Sequence, residues 1–202
     1  MKRSEIQELQ VRIAGWAAVG PARVYIAVDG FFGPRTEGAL RRFQLAYGLK
    51  PDAIVGPATS QVLAALEAAD QSTTHFRWAE FVSHDGSCFS AGKVRPARVR
   101  QNIRQQMYKL EALRKKAGDL PMRVSSAFRS QPHNLAIAGA DNSQHMYGIA
   151  VDVRVPGVAS HQLAELAKSC GFSGIRAYST NAHAHLDSRV QFAYGAQRWW
   201  WP

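Results

Sequence analysis

Cysteine is nearly missing from this chain. Only Cys88 and Cys170 occur among 202 residues, and neither belongs to a Cys-x-x-Cys pair. A thiolate zinc site is thereby excluded; two buried thiols are the simplest expectation, with a Cys88–Cys170 disulfide or a redox role as the alternatives. Long apolar runs are missing too, so no segment is expected to insert stably in a membrane. The first ten residues, MKRSEIQELQ, hold no apolar stretch of the kind found in a secretory leader. The expected location is the cytoplasm where the chain is made, until something else releases it. Acidic residues are scarce: 15 Asp and Glu face 25 Lys and Arg, for a net charge of +10. The shortage is local. Residues 1–70 balance 8 Lys and Arg against 7 acids, whereas residues 71–202 carry 17 against 8. A basic second part fits an anionic partner such as nucleic acid, lipid or wall polymer, or simple solubility.

What is present begins with a repeat. Residues 4–16 read as an amphipathic helix with Ile6, Leu9 and Ile13 on its apolar stripe and Ser4 and Gln7 at capping-box spacing. The segment DGFFGPRT (29–36) returns 23 residues later as DAIVGPAT (52–59). Each copy combines Gly for a sharp turn, Pro for a fixed φ at a helix start, and Thr as an expected N-cap. A helix follows each, carrying Leu40, Phe43 and Tyr47, then Val62, Leu63 and Leu66. Residues 1–68 are therefore predicted to form a compact three-helix unit.

This unit resembles the three-helix peptidoglycan-binding domain of cell-wall hydrolases. The resemblance rests on Asp29, Gly30, Gly33, Pro34, Thr36, Phe43, Gln44, Gly48 and Leu49, and on Gly56, Pro57 and Thr59 of the second copy. Ala53 departs from it, standing where that family usually has Gly. The resemblance implies bacterial peptidoglycan as the partner, with Asp29, Gly30 and Asp52 as candidate contacts.

Residues 69–75 are small and polar and read as a linker. In the second domain, 76–202, residues 97–117 show the longest helical pattern, with Val99, Ile103, Met107, Leu110 and Leu113 inward. Its arginines, 98, 100, 104 and 114, are expected on a solvated face. A strand is predicted at 122–128, a loop at 130–144, and a helix from Ser160 to Gly171. SQHMYGIAVD (143–152) leads into an alternating strand, with Ile149, Val151 and Val153 on one face and Ala150 and Asp152 on the other. His145 lies just before the turn at Gly148. HAHLD (183–187) is extended, placing His183 and His185 on one face. Two imidazoles and a carboxylate suit one zinc ion, and a fourth position left for water makes such a site hydrolytic.

Residues 76–190 resemble the zinc D-Ala-D-Ala carboxypeptidase family, the VanY-like group. The match rests on Phe76, Glu80 and Phe81, on Ser125, Ser126, Arg129, Ser130, His133 and Asn134, on Ser143, His145, Gly148, Ala150 and Asp152, on GFSGI (171–175), and on His185 and Asp187. The His-x6-Asp spacing separates it from lysostaphin-like peptidases, which use His-x3-Asp. The resemblance implies one zinc ion held by His145, Asp152 and His185. It implies Arg129 as the substrate-binding arginine and leaves His183 as the candidate base, with Ala182 where other members carry an acid. Ser143, His133, Tyr178 and Asp187 are candidates for supporting or substrate contacts.

The expected fold class is α+β: a small three-helix domain, then a peptidase domain with an antiparallel sheet flanked by helices. The expected function is a peptidoglycan hydrolase of the phage endolysin kind, monomeric, cutting D-Ala-diaminopimelate cross-links. Trimming of terminal D-Ala, cleavage of L-Ala-D-Glu bonds, or wall binding without catalysis are the alternatives. Nucleic-acid binding would explain the charge but not the motifs. The two domains are expected to act separately, so that deleting residues 1–70 spares hydrolysis of small fragments.

Overall fold

A computed structural model describes residues 1–179, 183–192, 194 and 198–201. Three helices build the first part: α1 (Arg3–Arg12), α2 (Pro34–Ala46) and α3 (Pro57–Ala65). Helices α2 and α3 each begin at a proline that follows an extended glycine, Gly33 or Gly56. Thr36 and Thr59 therefore do not cap. Proline starts each helix ahead of them, and the threonines lie buried inside the first turn. Their hydroxyls instead help to hold a glutamine.

The Gln10 amide nitrogen reaches Asp29 Oδ1 (2.8 Å), the Phe31 carbonyl (3.0 Å) and Thr36 Oγ1 (3.2 Å), while its oxygen accepts from Gly30 N–H. Gln44 repeats the arrangement with Asp52 Oδ1, the Ile54 carbonyl, Thr59 Oγ1 and Ala53 N–H. The sequence repeat is thus two turns, each clamped by one buried carboxamide. Gly30 (φ 75°) and Ala53 (φ 62°) occupy the left-handed position of their turns.

The second part holds α4 (Pro96–Lys116), α5 (Gln131–Ala136) and α6 (Ser160–Ala167) around four strands, β1 (Arg123–Ser126), β2 (Ala150–Arg154), β3 (Gly174–Tyr178) and β4 (His183–Asp187). The sheet order is β1-β2-β4-β3, antiparallel throughout. The α+β architecture is the expected one. Helix α5 falls inside the expected loop; Ser130 caps it, accepting from the His133 N–H at 3.0 Å.

Helix α4 departs from expectation. Residues 105–113 are all buried. Val99, Ile103, Met107, Leu110 and Leu113 enter the core beneath the sheet, whereas Tyr108 and Ala112 enter the core of the three-helix part. The arginine-rich side is not simply solvated. Arg104 pairs with Glu8 of α1 and with Glu67, and Arg100 lies over the Trp78 ring, 4.2 Å from its centroid. A Cβ on Gly15 would stand 2.4 Å from that of Ala112, so this close approach requires glycine. Lys116 donates to Ser169 Oγ at 2.8 Å, and its ammonium also lies near the carbonyls of Gly15, Ala18 and Ser169.

Within 69–75, Ser72 and Thr73 are buried, and Ala68 N–H donates to the Ser72 carbonyl. Cys170 is buried as expected, but Cys88 is exposed, because its residue closes a surface turn against Ser83. No described helix is long and apolar enough to cross a membrane.

Candidate metal centre

The sheet register builds the site. One row of cross-strand partners runs Ser126, Asp152, His185, Arg176 across β1, β2, β4 and β3. Directly opposed residues of antiparallel strands carry their side chains to the same face. Asp152 and His185 therefore meet without help from any loop. His145 comes from a short 3-10 helix, Gln144–Tyr147, which Gly148 ends in the left-handed conformation (φ 70°).

Three donor atoms converge. His185 Nδ1 lies 2.9 Å from Asp152 Oδ1 and 3.3 Å from His145 Nε2, and His145 Nε2 lies 3.5 Å from Asp152 Oδ1. Ligands about 2.0–2.1 Å from a tetrahedral ion stand about 3.3 Å apart, so the donor set fits zinc. Among the described residues these three form the only such group.

The far ring nitrogens are fixed as metal-bound imidazoles require. His145 Nδ1 donates to the Ala127 carbonyl, and His185 Nε2 donates to Asp187 Oδ2 at 3.1 Å. Asp187 is fully buried and takes a two-pronged bond from Arg189. Burial works against ionising Asp187, but His185 and Arg189 outweigh it and bring the carboxyl down to about 2.

Electrostatics at the donors favour a cation between them. Burial opposes charge on the His185 ring, yet Asp152 and Asp187 prevail and raise it to about 9. Burial also opposes the Asp152 charge, but the two imidazoles hold that carboxyl far below its usual range. His145 moves the other way, lowered by burial despite Asp152.

The donors face a cleft of about 440 Å³. Arg129 lines it, giving Nη2 to Asp152 Oδ2 (2.9 Å) and Nε to Ser126 Oγ (3.0 Å). Ser143, Tyr178 and His183 line it as well. His183 shares the β4 face with His185 and stacks on Tyr178, its partner across β3, at 4.7 Å and 11°. His133 lies elsewhere: its ring faces His84 at 5.8 Å and does not line the cleft. Asp29, Gly30 and Asp52 belong to the clamped turns of the first part. Ala182 lies outside the described residues.

Trp200 was not legible as a site residue. In the sequence, the three adjacent tryptophans of residues 199–201 suggest packing on the domain surface or contact with a membrane or outer envelope. In the structure Trp200 bridges to Gly174, its backbone paired with Ser173 and Ile175, so the tail adds a parallel segment beside β3. Its ring then lines the cleft, 6.0 Å from His185 and under the Arg189 guanidinium. Trp201 packs against the core, and Pro202 lies outside the described residues.

Comparison with known proteins agrees with this geometry. Residues 74–187 match the family model described as peptidase M15, and residues 2–63 match that of a peptidoglycan binding domain. A zinc D-Ala-D-Ala carboxypeptidase of Streptomyces albus G is 38% identical over 195 residues, covering 96% of this chain and 74% of that protein. An uncharacterized protein of Kitasatospora aureofaciens is 62% identical over 32 residues, 16% of this chain and 27% of its own.

Proposed function

Since the chain belongs to the peptidase M15 family, we propose that it hydrolyses the peptide bond on the carboxyl side of a D-alanine in peptidoglycan stems, above all in the cross-links. This is a zinc metallopeptidase acting on peptidoglycan, with a wall-binding domain ahead of it. The observation that carries the reading is the convergence of His145 Nε2, Asp152 Oδ1 and His185 Nδ1 at 2.9–3.5 Å.

His145, Asp152 and His185 would hold the zinc, which when bound supplies a Lewis acid and acidifies water. The chain's own groups do the rest. His183 faces the same cleft and accepts the proton of the attacking water. It then passes that proton to the amine that leaves as the C–N bond breaks. Tyr178, stacked on the His183 ring, keeps it in place. Arg129 is tied through Nε and Nη2, which leaves Nη1 to donate to the oxyanion forming on the carbonyl. The Ala127 carbonyl and Asp187 hold the two ligating rings in the required tautomer.

Cross-links are favoured over chain ends by the state of the cleft arginines. Arg129 pairs with Asp152 and Arg189 with Asp187, so both cations already face a carboxylate. A terminal D-alanine brings another carboxylate, whereas a cross-link continues as a chain. Cutting cross-links opens the wall mesh, which is the work of an endolysin. The relative from Streptomyces albus G favours the second reading, removal of a terminal D-alanine.

Mass spectrometry of purified muropeptides, with and without a chelator, separates the two. Chelator-sensitive conversion of cross-linked dimers to monomers supports the endopeptidase. Loss of one terminal alanine from monomers makes it a carboxypeptidase. No product in either case sinks both.

A further inference from the structure

A groove of about 730 Å³, larger than the metal cleft, lies where the three-helix part meets the peptidase. Two helices supply matching walls. Ser4, Gln7 and Val11 of α1 stand at i, i+3 and i+7, and Arg98, Gln101 and Gln105 of α4 repeat that spacing. Tyr25 and Phe192 add aromatic surface.

Most of the charge that lines the groove is already paired. Glu8 and Arg104 neutralise one another, and Asp29 is engaged by Gln10 and the Phe31 N–H. What remains for a ligand is chiefly the amides of Gln7, Gln101 and Gln105, beside the exposed Arg98. Gln105 is decisive. Its residue is 4% exposed, yet its amide nitrogen has no hydrogen-bond partner. A buried donor without a partner is destabilising, because it has given up water and gained no acceptor. Its place in the groove lining marks a position where an acceptor belongs.

Tyr147 links the lining of the groove to that of the cleft. Asn102 lines the groove and donates to the Tyr147 carbonyl (2.8 Å). Tyr147 donates its hydroxyl to Asn142 Oδ1 (2.7 Å), and Asn142 lines the metal cleft. Parallel rings follow the same path: Phe192 stacks on Tyr194 at 5.7 Å, and Tyr194 on Tyr147 at 4.8 Å.

We infer that this groove binds the glycan strand of peptidoglycan, a chain of N-acetylated amino sugars, and presents the attached stem peptide to the metal cleft. The inference rests on the peptidoglycan reading above. Carboxamides both donate and accept, as the acetamido and hydroxyl groups of such sugars do. Aromatic faces suit the apolar C–H faces of pyranose rings. A ligand held by both walls also fixes the peptide's position relative to the donors.

The test uses the full zinc-loaded chain and the β-1,4-linked tetramer of N-acetylglucosamine, which carries no peptide. Calorimetric titration should show saturable binding to one site. Gln105→Leu and Gln101→Ala should each weaken it at least tenfold. Gln105→Leu removes an unpartnered amide, so its unfolding midpoint should stay level or rise; that keeps loss of binding distinct from loss of fold. His145→Ala should bind the tetramer as the parent does. No binding by the parent overturns the inference, as does undiminished binding by Gln105→Leu. Displacement of the tetramer by a free stem peptide would make the groove a peptide site and overturn the sugar assignment. Tetramer binding without muropeptide cleavage would sink the proposed function alone; cleavage without tetramer binding would sink the groove alone.

Discussion

The carboxylate of Asp187 occupies the space where a side chain at residue 174 would begin. The two residues face each other across β3 and β4, and a Cβ on Gly174 would lie 2.1 Å from Asp187 Oδ2. Gly174→Ala should therefore push Asp187 away from His185 Nε2. Zinc affinity is expected to fall by about 10- to 100-fold, the usual effect of losing a partner behind a ligand. Competition with a chromophoric chelator measures it. Asp187→Asn should weaken zinc in the same range, and unchanged affinity in both variants would remove Asp187 from the support of the metal.

His145→Ala and His183→Ala should separate holding the metal from moving the proton. The first should lose zinc and activity together. The second should keep one zinc per chain by elemental analysis, while kcat falls about 100-fold or more. Full zinc stoichiometry in His145→Ala would exclude it as a ligand.

Deletion of residues 1–70 is expected to damage the peptidase itself, not only wall binding. Tyr108 and Ala112 would lose their apolar surroundings, and Arg104 its two carboxylates. Burial of one large side chain is worth about 1.5–3 kcal/mol, so the truncated chain should unfold at clearly lower urea than the parent. An equal midpoint, with full activity on small muropeptides, would show that α4 tolerates both states.

Lys109 should give the protein a stability that climbs with alkalinity. It is fully buried and donates to the Gly171 carbonyl, Ser188 Oγ and Gln191 Oε1. Burial drives its pKa from 10.5 down to about 7, against the pull of Asp187 and the Cys170 thiol. Between pH 7 and about 10 the unfolded chain keeps a proton that the folded chain has released, so unfolding free energy rises with pH in that window. Below pH 7 both states are protonated and the slope vanishes. Lys109→Met should cost about 1–3 kcal/mol at neutral pH through the acceptors left behind, and should abolish this part of the slope in urea titrations.

Ala53→Gly should stabilise the second turn. Ala53 sits at φ 62°, which costs an ordinary residue about 1–2 kcal/mol, partly offset by the chain entropy that glycine loses on folding. A net gain of about 0.5–1 kcal/mol in chemical denaturation is expected; a loss would mean that the Ala53 methyl earns more by packing.

The clamped turns show which parts of the fold could be read from the sequence. Their Gly, Pro and Asp are set by neighbours a few residues away, and those positions were legible. The clamping role of Gln10 and Gln44 was not, although Gln44 is one of the residues that carry the family resemblance, because a glutamine on a helix gives no sign that it will reach a turn 19 or 8 residues on. The same division holds at the metal. His145 and Asp152 announce themselves by alternation and spacing, which leave His183 and His185 equal on one face of an extended segment; only the family resemblance chooses His185. Trp200 does not announce itself, since three adjacent tryptophans carry no period. Helix α4 misled for a physical reason: Arg104 and Lys109 bear charges that normally face water, and only the partners brought by the other domain and by the segments at Gly171 and after β4 make their burial tolerable.

The row Ser126, Asp152, His185, Arg176 ties metal binding to strand alignment. Sliding β4 by one residue against β2 would turn His185 toward the core and present Ala184 or Leu186 in its place. A chain folded with that misalignment would have no donor triad. An ion that binds only the aligned form would add its binding free energy to the correct β-pairing, so the same register that builds the site would be reinforced by its occupant.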